Sequence, residues 1–166
     1  MNILLVLDDN NYTADMPIVQ KQVARGVILR DGTLAVQMGK DGDCKILGGG
    51  IEGEESAADS LYREVQEEAG LYIIKDKVKE LGTIVERRQD LYKQGVVYCC
   101  NTTYYLCEIE ERTTTPNLTP SEIAKGYELA WLTPEEVIHN NQAFLHQPWI
   151  KRDTMFVEML PTIIKK

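Results

Sequence analysis

"GGGIEGEESAADSLYREVQEEAGL" runs from Gly48 to Leu71 and sets six glutamates and one aspartate against a single arginine. Neither proline nor glycine interrupts Ser56 to Ala69, and helix formers dominate it. Gly70 follows at the place where a left-handed cap is wanted, so the spacing predicts a helix over residues 56–69. At about 100° per residue, Ala58, Leu61, Tyr62, Val65 and Ala69 share one apolar face. Glu64, Glu67 and Glu68 converge on the adjoining face, with Arg63 beside Glu67. Like charges at i and i+4, as in Glu64 and Glu68, cost a helix about 0.2–0.5 kcal/mol. Glutamates near the C-terminal end also oppose the helix dipole. Helix stability therefore gives no reason for the cluster, whereas a hard divalent cation, Mg²⁺ or Mn²⁺, does: it prefers carboxylate oxygen, and one helical face can offer several ligands together. Upstream, Gly48, Gly49 and Gly50 are expected in a loop between a strand and the helix, where their backbone can approach a ligand closely.

The rest of the chain limits the setting. With 166 residues, 43% apolar and 27% charged, residues 1–166 are expected to form a single folded domain. Eighteen basic against 26 acidic residues leave a formal charge of −8, and the cations are scattered. That excludes duplex nucleic acid and a membrane surface as partners, but not a small anionic ligand, because a bound cation inverts the local field. The four cysteines form no C-x-x-C pair and the two histidines lie at no ligand spacing, which argues against zinc. The opening residues lack the basic segment and cleavage site of a signal peptide, and no apolar run approaches the ~20 residues of a membrane helix. The expectation is a cytoplasmic protein with reduced thiols.

Outside the acidic stretch, "ILLVLD" reads as a first strand. Val19–Leu29 and Thr33–Met38 read as strands paired through a tight turn at Asp31-Gly32. "VKELGTIVERR" and "GVVYCCNTTYYLCEI" are two more strands, followed by a polar loop over residues 111–126. "YELAWL" is a short strand, and "TPEEVI" opens a helix with Thr133 as N-cap, Pro134 at its first position and Glu136 closing a capping box. Residues 149–164 form a final amphipathic helix, weakened in its last turn by Pro161. Interspersed strands and helices predict an α+β fold in which helices pack on a sheet.

The acidic stretch also has a joint spacing. Gly49, Glu55, Arg63-Glu64, an aliphatic Val65, Glu67-Glu68, Gly70 and an aliphatic Leu71 stand at nine specified positions. Such a coincidence arises by chance on the order of once in 10⁹ windows. The pattern resembles the Nudix box at every one of those positions, over 23 of the 166 residues. The resemblance implies the Nudix fold, a mixed β-sheet sandwiched between helices (α/β/α). It also implies hydrolysis of a nucleoside diphosphate linked to some other group, with Mg²⁺ or Mn²⁺ as cofactor and a small-molecule nucleotide, such as ADP-ribose or a nucleoside triphosphate, as substrate. Carried over residue by residue, Glu64, Glu67 and Glu68 resemble metal ligands, joined by a backbone carbonyl from Gly49. Arg63 resembles the arginine that fixes the box through Glu55 or Glu67. The catalytic base is either a box glutamate or an outside carboxylate, for which Glu128 is the candidate. Arg87 and Arg88 are candidates to clamp a phosphate. Tyr104, Tyr105 and Trp131 fit core positions better than base stacking. Leu47, where many members have proline, and the "EGEE" turn depart from the family pattern and alter loop stiffness. A nucleotide-sensing module without turnover is the alternative reading, and many members of the family form a homodimer.

Overall fold

The structure, a computed structural model, describes residues 1–165. Its elements are β1 (Ile3–Asp8), β2 (Ile18–Val27), β3 (Leu29–Arg30), β4 (Thr33–Met38), β5 (Cys44–Gly50), α1 (Ala57–Ala69), β6 (Leu71–Gln89), β7 (Val97–Thr113), α2 (Pro120–Ala124), β8 (Glu128–Leu132), α3 (Pro134–Asn141) and α4 (Pro148–Ile163), with a 3₁₀ turn at Gln142–Phe144. The strands form one mixed sheet in the order β1-β6-β7-β2-β5-β4-β3, and β8 pairs with β4. β1 runs parallel to β6 and β2 parallel to β7, while β6 and β7 make a long antiparallel hairpin.

Each face of the sheet carries its own core. On one face Leu61, Val65 and Ala69 of α1 pack with Ala24, Ile28, Ala35, Leu47, Leu71 and Ile73. On the other, Val137 of α3 and Phe156, Val157 and Leu160 of α4 pack with Val27, Leu34, Val36, Ile46, Ile84 and Tyr104. The expected α/β/α layering is therefore present, because the two inner strands are apolar on both faces and need cover on both. Leu47 is fully buried in the first core. Among the described residues no helix is long and apolar enough to cross a membrane.

Three expectations need correction. The Asp31-Gly32 turn forms, with φ of 51° and 77°, but it closes a hairpin of only two residue pairs, Leu29 with Leu34 and Arg30 with Thr33. β2 leaves that pairing and instead lies between β7 and β5. Alternation in a strand fixes which side chains face a core, but not which neighbour supplies the hydrogen bonds. The supposed loop over residues 111–126 begins as the end of β7 and contains α2, which opens with a capping box between Thr119 and Glu122. The glycine triplet likewise belongs to β5 rather than to a loop, with Gly48, Gly49 and Gly50 in register with Arg25, Ala24 and Val23.

β5 links the two halves of the sheet: Cys44–Ile46 pair with β4 and Leu47–Gly50 with β2. It is anchored from α4, where the Asp153 carboxylate accepts from the Ile46 amide at 3.0 Å and from the Tyr104 hydroxyl at 2.8 Å. Arg152 donates to Asp153 at 3.1 Å and to Glu86 at 3.0 Å, so a fully buried charge network holds the strand that carries the glycines.

Candidate metal and phosphate site

α1 begins where the Ser56 hydroxyl accepts the Asp59 amide and ends at Gly70, whose φ of 66° makes a left-handed cap. A β-carbon at Gly70 would lie 1.9 Å from the Thr114 carbonyl, so only glycine lets the helix end so close to the tail of β7. The predicted apolar face is buried, yet burial does not stop there. Ser60 and Glu68, on the polar side of the predicted stripe, are buried as well, and Glu68 is only 5% exposed. The cause lies in β5, whose glycines present no side chains and let the carboxylate face of α1 approach the strand.

Two of those glycines do different things. Gly48 sits at φ 128°, and a β-carbon there would meet the Ala24 carbonyl at 2.2 Å. Its amide donates to Glu68 Oε2 at 2.9 Å, while its carbonyl accepts from Arg25 Nη1 at 2.6 Å. Gly49 abuts the next carboxylate: a β-carbon would lie 2.5 Å from Glu64 Oε1. Because that obstacle is the mobile end of a side chain, Gly49→Ala is expected to keep the fold and push Glu64 out of place. The expected result is a loss of turnover of about tenfold or more with a melting temperature close to wild type, read by kinetics and thermal melts side by side.

Arg63 organises the carboxylates around it. Its Nη2 and Nε grip Glu55 at 2.7 and 3.2 Å, its Nη1 donates to Glu64 at 2.9 Å, and Glu67 stands at 3.5 Å, the outer limit of a hydrogen bond. The guanidinium, helped by the Glu52 amide, holds the Glu55 carboxyl down at about 2. Burial pushes Glu68 up to about 7 against the opposing pull of Lys45, Arg25 and the Gly48 amide. Burial also raises Glu64, in spite of Arg63.

Among the described residues no three carboxylate, imidazole or thiol groups are gathered as a ready metal cage. The donors nonetheless suit a hard cation. They are all carboxylate oxygens, two of them are raised by burial, and the missing side chain at Gly49 leaves the Glu64 head its space.

The other predicted residues fall elsewhere. Glu128 is exposed at the start of β8, in register with Met38, which pairs with Cys44 at the end of β5 away from the glycines. The structure does not bring it into the glutamate cluster. Glu122 of α2, overlooked in a segment read as loop, is partly buried and accepts from Gln37 at 2.9 Å. Tyr104 is core, stacked on Phe156 with ring centroids 3.7 Å apart and planes 4° apart. Tyr105 and Trp131 pack on the edge of the α1 core.

Arg87 is exposed, whereas Arg88 is partly buried with its guanidinium 4.4 Å above the Tyr98 ring. Both line a small cavity of about 140 Å³. Arg88 also lines a larger one, of about 350 Å³, with Arg25, Lys45 and Lys125, under Tyr92 and Trp149. Sequence reading missed this second cavity because its cations come from four distant segments. Arg25 connects it to the glutamates, since one residue, Gly48, binds Arg25 through its carbonyl and Glu68 through its amide.

Comparison with known proteins agrees with this geometry. Residues 20–153 match the family model of the NUDIX domain. No curated protein matches the chain in sequence. Among solved structures, the NUDIX hydrolase from Nitrosomonas europaea superposes with a TM-score of 0.57 at 18% identity, over 86% of this chain and 90% of that one. The E. coli ORF135 protein gives a TM-score of 0.52 at 20% identity, over 88% and 94%. An ADP-ribose pyrophosphatase from Streptococcus suis gives 0.50 at 20% identity, over 69% and 75%. At such identities these likenesses speak for the fold alone, but the family model spans most of the chain and includes every position of the acidic motif, so the chain belongs to the Nudix family.

Proposed function

We propose that this protein hydrolyses a pyrophosphate bond in a nucleoside diphosphate linked to a further group, with Mg²⁺ or Mn²⁺ as cofactor and water attacking phosphorus. The observation that carries the reading is the packing of the half-buried Glu64 and the buried Glu68 carboxylates against the side-chain-free backbone of Gly48 and Gly49. Glu64, Glu67 and Glu68 would hold the cation, with the Gly49 carbonyl beside them. A divalent ion bound there supplies positive charge against the phosphate oxygens and acidifies water near neutral pH.

The chain's own groups then have distinct tasks. The Gly48 amide fixes one oxygen of Glu68 and leaves the other for a ligand. Arg63, clamped by Glu55, keeps the Glu64 head against Gly49. Glu67, the most exposed of the three at 40%, is the box carboxylate best placed to accept a proton from water. Glu128, in register with Met38 at the Cys44 end of β5, has no part in this proposal. The four cysteines are buried and unpaired, which suits the reducing cytoplasm in which small nucleotides are handled.

The test is phosphate release, coupled to a phosphatase, from a panel of nucleotides in Mg²⁺, in Mn²⁺ and in EDTA. Turnover of at least one nucleotide that vanishes in EDTA and returns with added metal is the expected result. Metal-dependent binding with no turnover across the panel would replace this reading with that of a nucleotide-sensing module.

A further inference from the structure

The cavity beside the glutamates has a charge out of keeping with the chain. In a protein of net charge −8, it is walled by Arg25, Lys45, Arg88 and Lys125 against a single carboxylate, Asp90. That carboxylate is already engaged, because it accepts the amides of Tyr92 and Lys93 at 2.8 and 3.0 Å and so shapes the tip of the β6–β7 hairpin. The cations are less well satisfied. Arg25 is 8% exposed and gives two hydrogen bonds through one nitrogen, to the Ile46 and Gly48 carbonyls, yet its Nε is buried without a partner. Arg88 Nε is likewise buried and unpartnered. Both guanidiniums line this cavity, and the charge they keep beside it carries a desolvation cost that an anion bound there would offset.

We propose that this cavity holds the phosphate chain of the substrate beyond the scissile bond, so that the enzyme acts on nucleotides with three or more phosphates in preference to nucleotide sugars. The inference rests on the hydrolase reading above and specifies its substrate. A nucleotide sugar carries about two negative charges, both on the pyrophosphate that the metal site already neutralises, whereas a nucleoside triphosphate carries about four. Only the second leaves charge over for four cations. A sugar would instead call for several carboxylates and amides to bind its hydroxyls, and the cavity wall offers one carboxylate, Asp90, one of whose oxygens already accepts two amides of the hairpin turn. At about 350 Å³ the cavity lies at the lower end of small-molecule sites, which run from about 300 to 1,000 Å³. Tyr92, 87% exposed at the hairpin tip over the cavity rim, offers a stacking surface to a base.

Proximity to the reacting centre follows from Gly48. Its carbonyl accepts from a cavity arginine and its amide donates to a box glutamate, so a single residue of β5 ties the cavity wall to the glutamate cluster. Lys45, two positions before Leu47 in β5, is half-buried and feels the charges of both Glu68 and Glu122.

The experiment compares kcat/KM for ATP, diadenosine tetraphosphate and ADP-ribose in wild type, Arg88→Gln and Lys125→Gln. It adds calorimetric binding of inorganic tripolyphosphate in EDTA. The wild type should prefer the polyphosphates by about tenfold or more, and each variant should lose about tenfold on them and about twofold or less on ADP-ribose. Tripolyphosphate should bind without metal and weaken by a similar factor in each variant. Lys125 is exposed, so its replacement leaves the fold intact even if Arg88→Gln does not. A preference for ADP-ribose, or variants that bind and turn over polyphosphate like wild type, would overturn the assignment while leaving the hydrolase standing. Tight tripolyphosphate binding that the variants weaken, with no turnover of any nucleotide, would do the reverse.

Discussion

Glu68→Gln is expected to silence turnover and, in the same molecule, to make the metal-free protein more stable at pH 8. The first effect follows from taking away an oxygen of the proposed cation site, and the loss should exceed about 100-fold, the upper end for an outer partner of a metal site. The second follows from burial. Glu68 is pushed from an ordinary value of 4.5 up to about 7, chiefly because its charged form is desolvated. A carboxyl whose folded value lies above its unfolded one stabilises the protein while it is neutral. That contribution is complete below about pH 4.5 and is lost as pH rises through about 7. At pH 8 the buried carboxylate therefore costs on the order of 3 kcal/mol, a cost that glutamine does not carry while it still accepts the Gly48 amide. Thermal melts in EDTA should place the variant about 5–10 °C above wild type at pH 8 and close to it at pH 4.5. Added Mn²⁺ should raise the wild type and not the variant. Equal melting temperatures at both pH values would show that Glu68 is not held charged in a dry site.

Asp153→Ala should bring the largest loss of stability, about 3–5 kcal/mol, read from urea unfolding at neutral pH. Asp153 is 1% exposed and receives the Ile46 amide, the Tyr104 hydroxyl and the Arg152 guanidinium. Its removal strands all three in the core and leaves Arg152 with Glu86 alone. Asp153→Asn, which keeps one acceptor, should lose about half as much. The effect should reach function too, because Ile46 lies two residues before Gly48 on β5 and any slack in the strand moves the backbone that faces Glu68. A loss below about 1 kcal/mol would mean that the network relaxes around the gap.

What the sequence made legible was local. The span of α1 and its Gly70 cap, and the Thr133–Glu136 capping box of α3, follow from residues within one or two turns of each other, and the structure shows both. The glutamate cluster could be read from helical spacing for the same reason. The burial of Glu68 could not, because it depends on a strand of glycines packing on the helix face that spacing alone marks as polar. Nor could the partners of β2, which lies between strands about 25 and 80 residues away. The cationic cavity was hidden for a like reason: Arg88 stands out in the sequence as a candidate phosphate clamp, but Arg25, Lys45 and Lys125 read as scattered charge until the fold gathers them beside it. Glu128 was chosen for its place in a short strand, and register, which no local pattern specifies, put it at the other end of β5.

The parallel pairings have a consequence for biosynthesis. β1 has β6 as its partner, with Ile3 opposite Thr83, so a strand made first must wait for one made about 80 residues later. At roughly 5–20 residues per second the nascent chain carries Leu4, Leu5 and Leu7 without their native cover for about 4–16 s. β2 waits as long for β7 along one edge, although β5 reaches its other edge sooner. β2, β5 and β4 can thus pair on the ribosome before β6 and β7 are made, while β1 and one edge of β2 stay open, and it is these edges that a holding chaperone would meet.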